Sequence, residues 1–346
     1  MSAKYHEYQL AERPVSGKII PGRTFKLVEK DIPTAADLKD GQVLIEVYYA
    51  SLDPAMRGWM LDIRSYLPPV GIGERMRGNV LGKVIASKSF KAKEGDIVSA
   101  FNGWGEYAIA DEKWVTLYDL PKGTKATDTL GAAGLTGTTA YFGLKHIGQP
   151  KEGETVVVSG AAGATGLVVG QICKIKGCRV IGIAGTDEKC EMLTRELGFD
   201  VALNYKSPTF KEDLVEATPN FIDVYWDNVG GEILEIALEQ AALRARFVLC
   251  GSISGYNTKG HTSAGVRNLF RVTTHRIRME GFIVIDYMDE MPEARQTLGQ
   301  WIAEGKIKRK ETIVKGGLKM AEHAINHLFT GKNTGKLMVE VKPLEE

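Results

Sequence analysis

The chain has 346 residues, 44% hydrophobic and 25% charged, which is the composition of a folded globular protein and excludes a disordered one. A formal net charge of +1 leaves no basic stripe for phosphate neutralisation, so nucleic acid is not an expected partner. The run Lys306-Ile307-Lys308-Arg309-Lys310 reads as a solvated surface segment.

The opening stretch, Met1 to Leu10, is polar and lacks the apolar centre of a signal peptide. No stretch approaches the roughly 18 apolar residues of a membrane span. The expectation is a cytoplasmic protein without a membrane partner. Up to about residue 125 the pattern is mostly β. Gln42–Tyr49, Asn79–Ala86 and Asp96–Ala100 are expected strands, rich in β-branched and aromatic residues and punctuated by Gly and Pro. Short strands at this spacing suggest a compact barrel or sandwich.

From about Gly131 strands and helices alternate, the signature of a parallel sheet with crossover helices. Expected strands are Thr155–Ser159, Cys178–Ala184, Phe199–Asn204, Ile222–Trp226, Arg246–Cys250 and Met279–Ile285. Expected helices are Ala164–Lys176, Asp187–Leu197 and Glu232–Leu243. Two more helices, Pro292–Glu304 and Leu318–Thr330, precede a last strand, Lys336–Val341. The alternation of that strand matches the first part of the chain, so the C-terminal end is expected to return to it.

The strongest local signal is Val156-Val157-Val158-Ser159-Gly160-Ala161-Ala162-Gly163-Ala164-Thr165-Gly166, directly after a strand and opening a helix. Small residues there let a pyrophosphate approach the backbone, and the helix N-terminus offers unpaired N–H groups and a positive dipole end. The alternative is a tight strand-to-helix turn that holds no ligand. The end of the next strand, Ala184-Gly185-Thr186, lacks the carboxylate that usually accepts bonds from an NAD ribose, although Asp187 and Glu188 follow. Lys189 on the first helical turn and Tyr205 after the third strand suit a ribose phosphate, which carries about two negative charges. Lys189 reads equally well as an ordinary exposed lysine.

Metal and nucleophile signals are weak. Cys173, Cys178, Cys190 and Cys250 show no zinc-type pairing, and the first domain has no cysteine. His323 and His327 have the spacing of a helical metal pair, but no Glu follows the first and no third ligand is evident. No Gly-x-Ser-x-Gly elbow occurs. No metal is expected.

These residues resemble the zinc-independent medium-chain dehydrogenase/reductases, in the branch of leukotriene-B dehydrogenase/prostaglandin reductases, alkenal double-bond reductases and curcumin-reductase-like enzymes. The resemblance rests on Ser51-Leu52-Asp53-Pro54-Ala55-Met56-Arg57, Gly73-Glu74-Arg75-Met76-Arg77-Gly78 and Gly134-Leu135-Thr136-Gly137-Thr138-Thr139-Ala140-Tyr141. It rests further on the glycine-rich turn, Asp227-Asn228-Val229-Gly230-Gly231, Cys250–Asn257 and Gly331-Lys332-Asn333-Thr334-Gly335-Lys336. It implies an α/β protein with a GroES-like β-rich catalytic domain over residues 1–128, completed by residues 305–346. An NADP-binding Rossmann domain, a doubly wound parallel six-stranded sheet, would span residues 129–304. The implied reaction is NADPH-dependent reduction of the C=C bond of an α,β-unsaturated aldehyde or ketone, by hydride transfer to the β-carbon. Gly163, Ala164, Thr165 and Gly166 would meet the pyrophosphate, and Lys189 and Tyr205 the ribose phosphate. Asn228, Cys250, Ile253 and Asn333 would line the nicotinamide side. Tyr256 would be the acid near the enolate oxygen, or a loop tyrosine packed over the cofactor.

Ala55 departs from the family, where many members carry Tyr. The implied pocket therefore differs there, with Tyr49, Trp59 and Tyr66 as nearby aromatics. The resemblance also implies a homodimer joined by edge strands, and Gly281-Phe282-Ile283-Val284-Ile285 is the candidate edge. Two other readings share the cofactor: a quinone reductase, and a cofactor-binding protein without turnover.

Overall fold

The structure, a computed structural model, describes residues 3–14, 18–258 and 265–344. It divides into two compact units. The first comprises residues 1–120, 125–130 and 311–346, and the second residues 121–124 and 131–310.

The first unit opens with β1 (Lys4–Leu10) and β2 (Phe25–Asp31), an antiparallel pair. A larger sheet is built on β3 (Gln42–Leu52), β4 (Asn79–Ser87), β5 (Ile97–Phe101), β6 (Tyr107–Asp111) and β7 (Val115–Leu117), with the short helix α1 (Met56–Trp59) after β3. The long strand β3 is its organiser. It pairs antiparallel with β4 and with β6. Val43, Ile45 and Val47 point into the core with at most 1% exposure, as period-two burial requires. Each such side chain contributes about 1.5–3 kcal/mol on leaving water. Where β4 passes β3, Gly82 permits the contact: a Cβ there would lie 2.1 Å from the Glu46 carbonyl oxygen.

The second unit begins with α2 (Leu135–Phe142), which runs into a π-helical stretch over Gly143–Gly148. Alternating elements follow: β8 (Thr155–Val158), α3 (Ala164–Ile175), β9 (Arg179–Ala184), α4 (Asp187–Arg195), β10 (Val201–Asn204), α5 (Phe210–Ala217), β11 (Ile222–Asp227), α6 (Gly231–Glu239) and β12 (Ala241–Leu249). Then come α7 (Phe270–Thr274), β13 (Arg278–Gly281) and α8 (Met291–Ala303). The strands form one parallel six-stranded sheet in the order β10-β9-β8-β11-β12-β13. The order reverses between β8 and β11, which is the switch point where α/β sheets bind ligands.

The chain closes with β14 (Glu311–Val314), α9 (Ala321–Ala324), α10 (His327–Thr330) and β15 (Lys336–Glu340). β15 pairs antiparallel with β3 and parallel with β14, so the C-terminal end enters the sheet of the first unit. At this junction Lys336 Nζ forms a buried ion pair with Asp53, and Ser51 Oγ donates to the other carboxylate oxygen.

Three expected elements differ. The helix over Leu318–Thr330 is broken into a 3₁₀ turn, α9 and α10. Asn326 Nδ2 bonds back to the Glu322 carbonyl and competes with the helical ladder. The helix expected to reach Leu243 stops at Glu239, because β12 begins at Ala241. The strand expected over Met279–Ile285 ends at Gly281. Phe282 turns onto Trp226, with centroids 5.8 Å apart, and Val284 is buried with Phe142 in the same cluster. Gly281–Ile285 is therefore not an edge strand. The parallel sheet has two edges, and on this side the edge is β13 itself, with β10 at the other.

Candidate active site

Apart from Asn333, every site residue expected from the sequence lies where the strands of the parallel sheet end. β8 runs from Thr155 through three fully buried valines, as a strand covered on both faces should. It leads into Gly160, whose φ of 58° favours glycine. Gly163 then starts α3 in an extended conformation and gives no side-chain cap. The first-turn N–H groups of Ala164, Thr165 and Gly166 therefore face out of the helix end together with its positive dipole. A Cβ on Gly166 would lie 2.5 Å from the Gly160 oxygen and 2.8 Å from Ala161 Cα, so only glycine fits. Small residues, uncapped donors and a positive helix end together fit an anionic phosphate group.

A second anion-seeking cluster sits at the ends of β9 and β10. Thr186 Oγ1 caps α4 by accepting the Lys189 backbone N–H at 3.3 Å. The Tyr205 ring packs on Gly185, where an added Cβ would come within 3.0 Å of ring carbon Cε1. Lys206 Nζ lies 5.8 Å from the Tyr205 ring centroid. Lys189 is half-buried, and its ammonium is held below the ordinary lysine range, first by burial and then by the charge of Lys206. A bound dianion would offset both effects by favouring the charged ammonium. The nearby Asp187 carboxylate is engaged by Asn204 Nδ2 at 2.8 Å. Sequence reasoning missed Lys206; its adjacency to Tyr205 was the available signal.

At the ends of β11 and β12 the polar groups are already knitted together. Asn228 donates Nδ2–H to the Ser159 carbonyl at 2.7 Å, and its Oδ1 accepts from Trp226 Nε1 at 3.0 Å. Cys250 follows β12, and its thiol is pushed up to about 12, mainly by burial and then by the charge of Asp227. Ile253 opens a 3₁₀ turn, and its N–H donates to the Asn228 carbonyl at 3.2 Å. Tyr256 folds back over this loop: its Oη accepts the Ser252 N–H at 3.3 Å and lies 3.1 Å from where a Gly251 Cβ would be.

Asn333 belongs to the first unit, in the turn before β15, and its Nδ2 donates to the Gly335 carbonyl at 3.0 Å. Ala55 is partly buried at the start of α1. Trp59 Nε1 donates to Tyr66 Oη at 2.7 Å, and Tyr49 is buried on β3. His323 and His327 fall on separate helical segments. Among the described residues no group of three or more His, Cys, Asp or Glu side chains could hold a metal ion. Among them, too, no helix is long and apolar enough to cross a membrane.

Two family models match the chain: an N-terminal domain of oxidoreductase over residues 6–117 and a zinc-binding dehydrogenase over residues 164–301. The NADPH-dependent curcumin reductase of Escherichia coli is 42% identical over 337 residues, covering 96% of this chain and 95% of that protein. The chain belongs to the medium-chain dehydrogenase/reductase family. Within this family it falls in the zinc-independent branch of prostaglandin, alkenal and curcumin reductases. An NADP(+)-dependent 2-alkenal reductase of Nicotiana tabacum is 39% identical, covering 86% of this chain and 87% of that one. The crystal structure of CurA from Vibrio vulnificus in complex with NADPH superposes with a TM-score of 0.89 at 40% identity, covering 98% of this chain and all of the other.

Proposed function

We propose that this member of the family reduces the C=C bond of α,β-unsaturated aldehydes and ketones with NADPH, without zinc. The observation that carries the cofactor choice is the cluster of Lys189, Lys206 and Tyr205 at a strand end that bears no carboxylate. When bound, NADPH would supply the hydride that the β-carbon of the acceptor takes up.

The protein's own groups bind, orient and protonate. The uncapped first turn of α3, at Ala164, Thr165 and Gly166, holds the pyrophosphate, with Gly163 admitting it closely. Lys189 and Tyr205 take the ribose phosphate. Asn228, Cys250 and Ile253 line the nicotinamide side. The Tyr256 hydroxyl accepts the Ser252 N–H, and in this reading it is the acid at the enolate oxygen. The same N–H then stabilises the phenolate that remains.

The test is an acceptor screen. Steady-state NADPH oxidation should be brisk with an alkenal and an enone and slower with a benzoquinone. Brisk quinone turnover with neither of the others would replace this reading by a quinone reductase. NADPH binding with no turnover of any acceptor would make it a cofactor-binding protein.

The same reading has the protein as a cytoplasmic homodimer. β13 supports this: it ends the parallel sheet, and an edge of unpaired backbone groups invites a second strand. Light scattering at low protein concentration should return twice the 37.9 kDa chain mass. A monomer mass would remove the dimer.

A further inference from the structure

Asp227 ends β11 with only 2% exposure. One carboxylate oxygen, Oδ1, accepts four bonds: from Ser159 Oγ at 3.0 Å, Tyr225 Oη at 3.2 Å, Val229 N–H at 3.1 Å and Gly230 N–H at 2.9 Å. Its backbone carbonyl accepts two more, from Cys250 N–H at 2.9 Å and Gly251 N–H at 3.0 Å. The carboxylate therefore turns one loop back on itself, while the carbonyl ties down the start of another.

The two loops then close on each other. Ile253 N–H donates to Asn228 O at 3.2 Å, and Ser254 N–H to Val229 O at 3.1 Å. Gly230 and Gly231 make the reversal at φ 69° and 60°. A Cβ at Gly230 would strike Ser252 Oγ at 2.4 Å. Ser159, at the end of β8, joins the arrangement twice: its hydroxyl donates to Asp227 and accepts the Asn228 N–H at 2.9 Å. The loops held this way carry Asn228, Cys250, Ile253 and Tyr256.

We propose that Asp227, acting with Ser159, is the positioning residue that fixes the loop bearing Asn228 and the loop bearing Tyr256 in one register for hydride transfer and protonation. A buried carboxylate is costly unless donors converge on it. Burial pushes this carboxyl up, and the converging donors offset only part of that rise. Positional errors of about 1 Å cost roughly 100-fold in rate, so an anchor for both loops controls turnover without touching substrate. The adenosine end of the site, at Lys189 and Tyr205, lies at other strands and does not depend on it.

The inference rests on the function proposed above, and the experiment separates the two. Asp227→Asn keeps the shape of the side chain and removes its charge. Its kcat with NADPH and an enone should fall roughly 10- to 100-fold. Its dissociation constant for 2′,5′-ADP, a probe of the adenosine end alone, should stay within about twofold of wild type. Ser159→Ala should show the same split with a smaller loss, and it carries the test if Asp227→Asn does not fold. Unchanged kcat in either folded variant overturns the inference. So does a parallel loss of 2′,5′-ADP affinity, which marks a merely structural role. Absence of turnover in the wild-type enzyme would overturn the function itself.

Discussion

Tyr256→Phe is expected to lower kcat for enone reduction by roughly 100-fold while leaving NADPH affinity near wild type. General-acid transfer contributes about 10²–10⁴ in rate, and one donor to a developing oxyanion about 10²–10³. The substitution is selective because the ring remains. It is the hydroxyl that meets the Ser252 N–H and that lies 3.1 Å from the position of a Gly251 Cβ, and Phe removes that atom alone. Stopped-flow turnover combined with quenching of NADPH fluorescence separates the chemical step from binding. Unchanged turnover would withdraw the acid role and leave Tyr256 as packing over the cofactor.

Lys189→Ala is expected to raise the Michaelis constant for NADPH roughly 10- to 100-fold and to leave that for NADH almost unchanged. A hydrogen bond to a charged group is worth about 1.5–3 kcal/mol, and 1.4 kcal/mol is about tenfold. Lys189 is half-buried beside Lys206, so a phosphate there meets two cations in a partly desolvated setting. Lys206 remains in the variant and keeps the loss from being larger. An equal effect on NADPH and NADH would contradict the phosphate role.

The parallel sheet was legible because its central strands carry buried β-branched residues and its helices alternate with the strands in a regular rhythm. The glycine-rich turn was legible because the close approach at Gly166 tolerates no side chain. The first sheet was harder to read. β1 and β2 alternate polar residues through their length, and all of β2 except Phe25 is partly or fully exposed. The π-helical stretch at Gly143–Gly148 left no periodic signal. There the His146 and Tyr287 rings stack 4.6 Å apart, a contact between residues distant in sequence. The edge at Gly281–Ile285 was misread because an apolar run suits an exposed strand and an inward turn equally. Only the packing of Phe282 on Trp226 decides between them.

Site residues divide in the same way. The places of Lys189 at a helix start and of Tyr205 after a strand end were readable from the sequence. The engagement of both polar ends of Asn228 by Ser159 and Trp226 was not, since it depends on how β8 and β11 lie side by side. Of the four donors on Asp227, Tyr225, Val229 and Gly230 lie within three residues of it, and Ser159 alone reaches it through the pairing of the strands.

The most direct measurement is the fate of the transferred hydrogen. With NADPH deuterated at the nicotinamide C4 position that donates, and an α,β-unsaturated ketone as acceptor, the product should be the saturated ketone with one deuterium at the β-carbon. Deuterium on the carbonyl carbon of an allylic alcohol, or no deuterium in any product, would contradict the account.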